Sequence, residues 1–223
     1  MKRSVDLLVS ALGLLVASPL LLLLAALVKG TSRGPVFFRQ ERMGRGFRPF
    51  GIYKFRTMVE DAPRQGGPIT FGRDPRITRV GRFLRATKLD EVPQLLNVLK
   101  GEMSLVGPRP EIPRYVELFR SDYEEILRVR PGITDLASIK YRHEAEILGR
   151  AADPEREYLT RVLPEKVRLG KQYARQSSLG LDVCILCKTL FSLLRTPARA
   201  DFSGSEQGTR CNASMGDPFD RRA

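Results

Sequence analysis

Tryptophan is absent from the 223 residues, histidine occurs once, at His143, and cysteine three times, at Cys184, Cys187 and Cys211. One histidine excludes a two-histidine metal site and argues against a histidine-based catalytic triad. Three late cysteines cannot build a disulfide framework, and the odd count suits a reducing compartment. Cys184 and Cys187 form a C-x-x-C but lack the second pair that a four-ligand zinc site needs. They fall inside the apolar stretch 181–194, where free cysteines read as buried packing residues of a short helix. With no tryptophan and no aromatic-rich RNA signature, nucleic acid is not the expected partner.

Acidic residues are scarce in the first two-fifths of the chain. Residues 1–88 hold 17 basic and 5 acidic side chains, net +12, whereas residues 89–195 hold 17 and 16, so almost all of the overall +13 lies in front. A 42% hydrophobic content is too high for a disordered basic tail, and the length suits one folded domain with appendages. The partner should be anionic: a membrane surface, a phosphorylated substrate or both.

Residues 7–28 carry no charge, 22 in succession, and their midpoint is Ser18-Pro19. About 20 apolar residues cover a bilayer core. A cleaved signal peptide would have the Lys2-Arg3 start, but the apolar run exceeds the usual ~7–15 residues and ends without a small-x-small site. Lys2 and Arg3 before the run and Lys29, Arg33, Arg39 and Arg42 after it place both flanks on the cytoplasmic side by the positive-inside rule. That favours a re-entrant segment over a kinked single span. Pro19 removes a backbone donor where a bend is needed, and the Ser18 hydroxyl can satisfy the carbonyl it frees. The resulting division is 1–30 membrane helix, broken at Ser18-Pro19, 31–195 cytosolic unit at the membrane face, and 196–223 a disordered tail without function.

The cytosolic unit reads as α+β, mostly helical. Pro35-Val36-Phe37-Phe38 and residues 50–56 flank the turn Gly44-Arg45-Gly46 and predict a short hairpin. In an extended chain Lys54 and Arg56 share a face, a candidate phosphate site, although a solvated strand face reads equally well. Residues 60–75, with Pro63, Gly66, Gly67, Pro68, Gly72 and Pro75, predict a long loop of the lid or binding kind. Residues 77–87 are amphipathic: Ile77, Val80 and Leu84 lie on one face, and Arg79, Arg82 and Arg85 on another. Arg79 and Arg82 are candidates for anionic lipid headgroups. Val92, Leu95, Leu96 and Leu99 have helical spacing, with Pro93 in the first turn and Gly101 as the stop, so a helix begins near Asp90-Glu91. Its first turn suits ionised carboxylates and attracts phosphate, though capping alone would explain the pair. Pro108 and Pro110 fix the backbone around Arg109, presenting its guanidinium for two-pronged phosphate binding. Residues 114–128 and 154–175 read as helices, the second broken near Pro164.

Several of these stretches, in this order, resemble the small monotopic phosphoglycosyl transferases, also called bacterial sugar transferases, over nearly all of residues 1–195. They are Lys2-Arg3 with Asp6, Ser18-Pro19, residues 35–44, Lys54-Phe55-Arg56-Thr57-Met58, residues 89–101, residues 103–110 and Arg130-Pro131-Gly132-Ile133-Thr134. The resemblance implies a re-entrant helix and an active site on the cytoplasmic face of the bacterial inner membrane. It makes Asp90-Glu91 the catalytic pair. Asp90 would attack the sugar-bearing phosphate of a UDP-sugar, and the phosphate of a polyprenyl carrier would then take the sugar phosphate. It further implies Mg²⁺ at Asp90 and Glu91, with Glu91 binding the metal or supporting the nucleophile, phosphate or uridine contacts from Arg109 and Arg85, and lesser ones from Lys54 and Arg56. Many members continue Pro-Gly-Ile-Thr with Gly-Trp-Ala-Gln-Val-Asn-Gly-Arg-Asn. Here Asp135-Leu136-Ala137-Ser138-Ile139-Lys140-Tyr141-Arg142-His143-Glu144 follows, so the sugar cannot be carried over from better-known members. The competing reading, a membrane-anchored basic module that binds anionic lipid or nucleic acid without chemistry, would be indifferent to Asp90.

Overall fold

The computed structural model describes residues 1–67, 69–71 and 74–194; the expected tail, with Cys211, lies outside them. The apolar run forms one uninterrupted helix, α1 (Lys2–Thr31), with Pro19 inside it, so the break expected at Ser18-Pro19 is corrected: the helix accommodates the proline. The structure supplies the repair expected at the proline: Ser18 Oγ donates to the Leu15 carbonyl at 2.8 Å, the carbonyl that would have paired with the missing N–H. Residues Leu8, Leu12, Leu15, Val16, Leu22 and Leu23 of α1 are exposed, so this is not the core helix of the domain.

Both ends of α1 are fastened to the same body. Near its start, Lys2 Nζ donates to the Val106 carbonyl (3.0 Å), Tyr173 Oη (3.1 Å) and Asp182 Oδ2 (2.5 Å), and Arg3 Nη2 donates to the Leu99 carbonyl (3.2 Å). The buried Asp6 carboxylate accepts from Ser104 Oγ (2.8 Å) and from the Leu105 N–H (3.2 Å). Near its end, Leu24 and Val28 pack with Phe55 and Leu84 in one buried cluster.

The expected hairpin is present: β1 (Phe37–Met43) and β2 (Pro49–Phe55) pair antiparallel with Phe37 opposite Phe55 and Met43 opposite Pro49. Among its described residues, the loop predicted for 60–75 contains a short helix, α2 (Ala62–Gln65). It is pinned by Arg76, whose guanidinium grips Asp74 (2.7 and 2.9 Å) and also donates to the Ala62 and Gly67 carbonyls. Helix α3 (Arg79–Thr87) is capped by the Thr78 side chain. It packs so closely that a Cβ on Gly81 would stand 2.0 Å from the Thr57 carbonyl oxygen.

Asp90 and Glu91 do not start an α-helix as predicted. They belong to a 3-10 turn, Leu89–Gln94, entered through Lys88 at φ 60° and followed by α4 (Leu95–Lys100). Pro93 has no N–H to give an α-helical ladder, which suits the tighter turn. Ahead of the proline-flanked Arg109 lies a strand that the sequence did not signal, β3 (Ser104–Val106). It pairs parallel with β4 (Gly132–Thr134), and Gly107 and Gly132 meet at that junction with no room for a Cβ on either.

The single helix expected over 114–128 is two, α5 (Pro113–Leu118) and α6 (Arg120–Ile126), divided at Phe119. Then come α7 (Leu136–Lys140), α8 (Glu144–Leu148) and α9 (Pro154–Glu157). A π turn, Tyr158–Val162, leads without a break in helical backbone into α10 (Leu163–Gln176), so the irregularity expected near Pro164 is a widened turn just ahead of it. Tyr115, Val116, Tyr123, Ile126, Leu148, Tyr158, Val162 and Leu163 close the main helical core. Helix α11 (Leu179–Leu194) buries Asp182 and Ile185 but leaves Val183, Leu190 and both of its cysteines exposed. The expectation that Cys184 and Cys187 serve core packing is therefore corrected: they lie on the helix face turned away from Ile185.

Candidate active site

The 3-10 turn brings two adjacent carboxylates into unlike surroundings. Glu91 is paired on both oxygens. Arg109 Nη1 donates to Oε2 at 3.2 Å, Arg109 Nη2 donates to Oε1, and Lys54 Nζ also reaches Oε1, at 2.8 Å. Burial alone would raise the Glu91 pKa, but the two cations outweigh it and hold the carboxyl well below its usual range. The same ion pairing raises Arg109, whereas burial pulls Lys54 down against the opposing pull of Glu91.

Asp90 has no such cover. It is 7% exposed and its Oδ1 has no hydrogen-bond partner. Burial first, and the Glu91 charge second, push its pKa above the ordinary aspartate value, with Lys54, Arg85 and Lys88 acting against them. A partly desolvated carboxylate that no cation grips, beside a carboxylate neutralised by two cations, can serve as a nucleophile toward a phosphate through its second oxygen.

The backbone explains why Arg109 arrives there. Three residues past β3, its N–H donates to Asp135 Oδ2 at 3.0 Å, while Asp135 Oδ1 caps α7 by accepting from the Ser138 N–H at 2.7 Å. The segment that departs from the family pattern thus begins by holding the Arg109 backbone, a support that the sequence signals only as an aspartate before a helix. Arg85 is anchored by its Nε to Thr57 Oγ1 at 2.8 Å, and burial lowers its pKa, with Asp90 among the charges that oppose the shift.

Of the predicted residues, the structure gathers Asp90, Glu91, Lys54, Arg109 and Arg85. Arg56 goes elsewhere: its Nη2 donates to the carbonyl and the hydroxyl of Ser32, both at 2.8 Å, just past the end of α1. Lys54 and Arg56 therefore do not bind a common partner, because β2 ends at Phe55 and strand alternation does not carry through. Ser18 and Pro19 lie mid-helix in α1, far along the chain from the site.

Among the described residues no group of three or more His, Cys, Asp and Glu side chains converges as a ready metal cage. The donor set here is smaller: the Asp90 carboxylate and, once Arg109 and Lys54 turn from it to the substrate diphosphate, the neighbouring Glu91. That fits a hard cation of the Mg²⁺ type, which takes few protein carboxylates and completes its shell with water and substrate phosphates.

The model of the family described as bacterial sugar transferase matches residues 1–196. The chain belongs to that family. Similar proteins include the UDP-N-acetylgalactosamine-undecaprenyl-phosphate N-acetylgalactosaminephosphotransferase of Aeromonas hydrophila, 40% identical over 198 residues, covering 86% of this chain and 43% of that protein. The UDP-glucose:undecaprenyl-phosphate glucose-1-phosphate transferase of Klebsiella pneumoniae is 39% identical over 194 residues, covering 85% and 39%. The exopolysaccharide production protein ExoY of Sinorhizobium fredii is 38% identical over 204 residues, covering 85% and 83%. This bacterial sugar transferase spans less than half the length of the first two. Their names carry two different sugars, which accords with leaving the sugar open.

Proposed function

We propose that this bacterial sugar transferase moves a sugar 1-phosphate from a UDP-sugar to a polyprenyl phosphate, most simply undecaprenyl phosphate, and so initiates assembly of a surface glycan or exopolysaccharide. The observation that carries the reading is the unpaired, buried carboxylate of Asp90 beside a Glu91 held by Lys54 and Arg109. The names of the relatives support the choice of donor and acceptor.

An Asp90 oxygen attacks the sugar-bearing phosphorus. The bond from that phosphorus to the UMP oxygen breaks, and UMP leaves with the electron pair. An oxygen of the polyprenyl phosphate then attacks the same phosphorus, the acyl-phosphate bond breaks, and the Asp90 carboxylate is regenerated. Arg109 and Lys54, which balance Glu91 in the free protein, stand ready to share their donors with the diphosphate, and Arg85 flanks Asp90. Asp90 and Glu91 would hold Mg²⁺, which supplies charge neutralisation at the diphosphate.

The membrane reading follows from α1. A helix of 30 residues would be about 45 Å long if straight. Lys2 and Asp6 at one end and Val28 at the other bond to or pack on one body, which supports both ends lying on the same side of the bilayer, the exposed middle with Ser18 and Pro19 entering the lipid. The exposed Arg79, Arg82 and Phe83 of α3 then meet anionic headgroups on the cytoplasmic face.

Protein in detergent with Mg²⁺, undecaprenyl phosphate and a panel of UDP-sugars should release UMP with at least one of them, and Asp90→Asn should abolish that release. Full activity of Asp90→Asn would refute the assignment.

A further inference from the structure

The stripe 90, 93, 94 and 97 of the Asp90 turn and α4 faces inward, and two carboxamides on it are fully buried. Asn97 is satisfied throughout: it accepts from the Tyr53 N–H (3.0 Å) and donates to the Gly51 carbonyl (2.9 Å) and Glu102 Oε2 (2.7 Å). Gln94, equally buried, has no partner on either Nε2 or Oε1. An unpaired buried carboxamide works against folding, and one that persists calls for an explanation outside the resting fold.

A third buried polar group is unpaired on α1, the helix that packs along α4. Ser10 of α1 is fully buried with an unpaired hydroxyl, although other hydroxyls on that helix bond back to it: Ser18 to Leu15 and Thr31 to Leu27. Ser10 lies between Asp6, which bonds β3, and Gly13, which faces Leu95, the residue after Gln94. The unpaired atoms are complementary: donors at Ser10 Oγ and Gln94 Nε2, acceptors at Gln94 Oε1 and Asp90 Oδ1.

We propose that Gln94 is a positioning residue for Asp90, part of a chain in which the Ser10 hydroxyl donates to Gln94 Oε1 and Gln94 Nε2 donates to Asp90 Oδ1 as the bond from Asp90 to phosphorus forms. Neither bond is made in this structure. When the other Asp90 oxygen bonds to phosphorus, Oδ1 becomes the carbonyl oxygen of an acyl phosphate, and an amide donor fixes its direction and opposes rotation of the side chain. The chain couples the membrane helix to the nucleophile, and it rests on Asp90 being that nucleophile.

The test is Gln94→Leu, of similar size and without polar atoms, together with Ser10→Ala and the double variant, all as full-length protein in detergent. Gln94→Leu should unfold at the same or a higher temperature than the wild type, because it removes two unpaired buried atoms. Its kcat for UMP release should fall roughly tenfold, the worth of about one hydrogen bond made only in the transition state, with KM for the UDP-sugar unchanged. Ser10→Ala should cost less and add nothing in the Gln94→Leu background. A wild-type kcat in Gln94→Leu, a fall in its unfolding temperature, or full additivity with Ser10→Ala would each overturn the proposal. An inactive Asp90→Asn beside a fully active Gln94→Leu would sink this inference alone; an active Asp90→Asn would sink the reading beneath it.

Discussion

Glu91 and Asp90 are neighbours in sequence and opposites in environment, and what separates them comes from distant parts of the chain. Lys54 arrives on β2 and Arg109 from the end of β3, so the pair in the sequence becomes a site only through long-range packing. Arg109→Lys keeps the charge but loses the two-pronged grip on Glu91; kcat/KM for the UDP-sugar should drop about tenfold or more in the UMP-release assay. The pH dependence has a definite sign. On the proposed mechanism the nucleophile is the ionised Asp90 carboxylate, and burial with the Glu91 charge raises its pKa. The acid limb of kcat/KM should therefore lie above the ordinary aspartate value of 3.8, with activity lost as pH falls through that limb. A limb at or below 3.8 would contradict the burial described. Asp90, Glu91 and Arg109 were legible because a carboxylate pair and a proline-flanked arginine stand out. Gln94 and Ser10 were not, since a polar residue inside an apolar stripe carries no local sign of being unpaired. Cys184 and Cys187 were misread because an apolar helix announces burial without saying what covers which face.

Elements differ in how much local signal they carry. The β1–β2 hairpin has aromatic runs around a glycine turn and was readable with its turn. By contrast, β3 and β4 have three residues each, too few for any period, and exist because Gly107 and Gly132 let two backbones touch. Their pairing sets where Arg109 points, so Gly107→Ala or Gly132→Ala should destabilise the protein by roughly 1–3 kcal/mol or more and lower activity with it, measured by thermal unfolding in detergent. Gly81→Ala would drive α3 off Thr57 and displace Arg85 in the same way. The 3-10 turn was mistaken for an α-helix because Pro93 in a first turn is compatible with either. The split at Phe119 has no proline or glycine to mark it.

At the scale of the molecule, the charge of the first 88 residues and the apolar α1 belong, on the proposed membrane reading, to one device that would seat the rest of the chain against lipid. In a chain whose three native cysteines are replaced by serine, Ser4→Cys and Arg33→Cys should both be labelled by an impermeant thiol reagent from the side of the catalytic domain. Labelling from opposite sides would make α1 a spanning helix and contradict the contacts at its two ends. On the proposed function that arrangement would bring a water-soluble UDP-sugar and a lipid-bound phosphate to one carboxylate, which should carry the sugar phosphate between them. The most direct test is intact-mass analysis after incubation with Mg²⁺ and the UDP-sugar that supports turnover, with the polyprenyl phosphate withheld. The expected result is a gain of one phosphosugar, mapped to Asp90, lost on adding the acceptor and absent from Asp90→Asn. Turnover with no such adduct under rapid quenching, or an adduct on another residue, would contradict it.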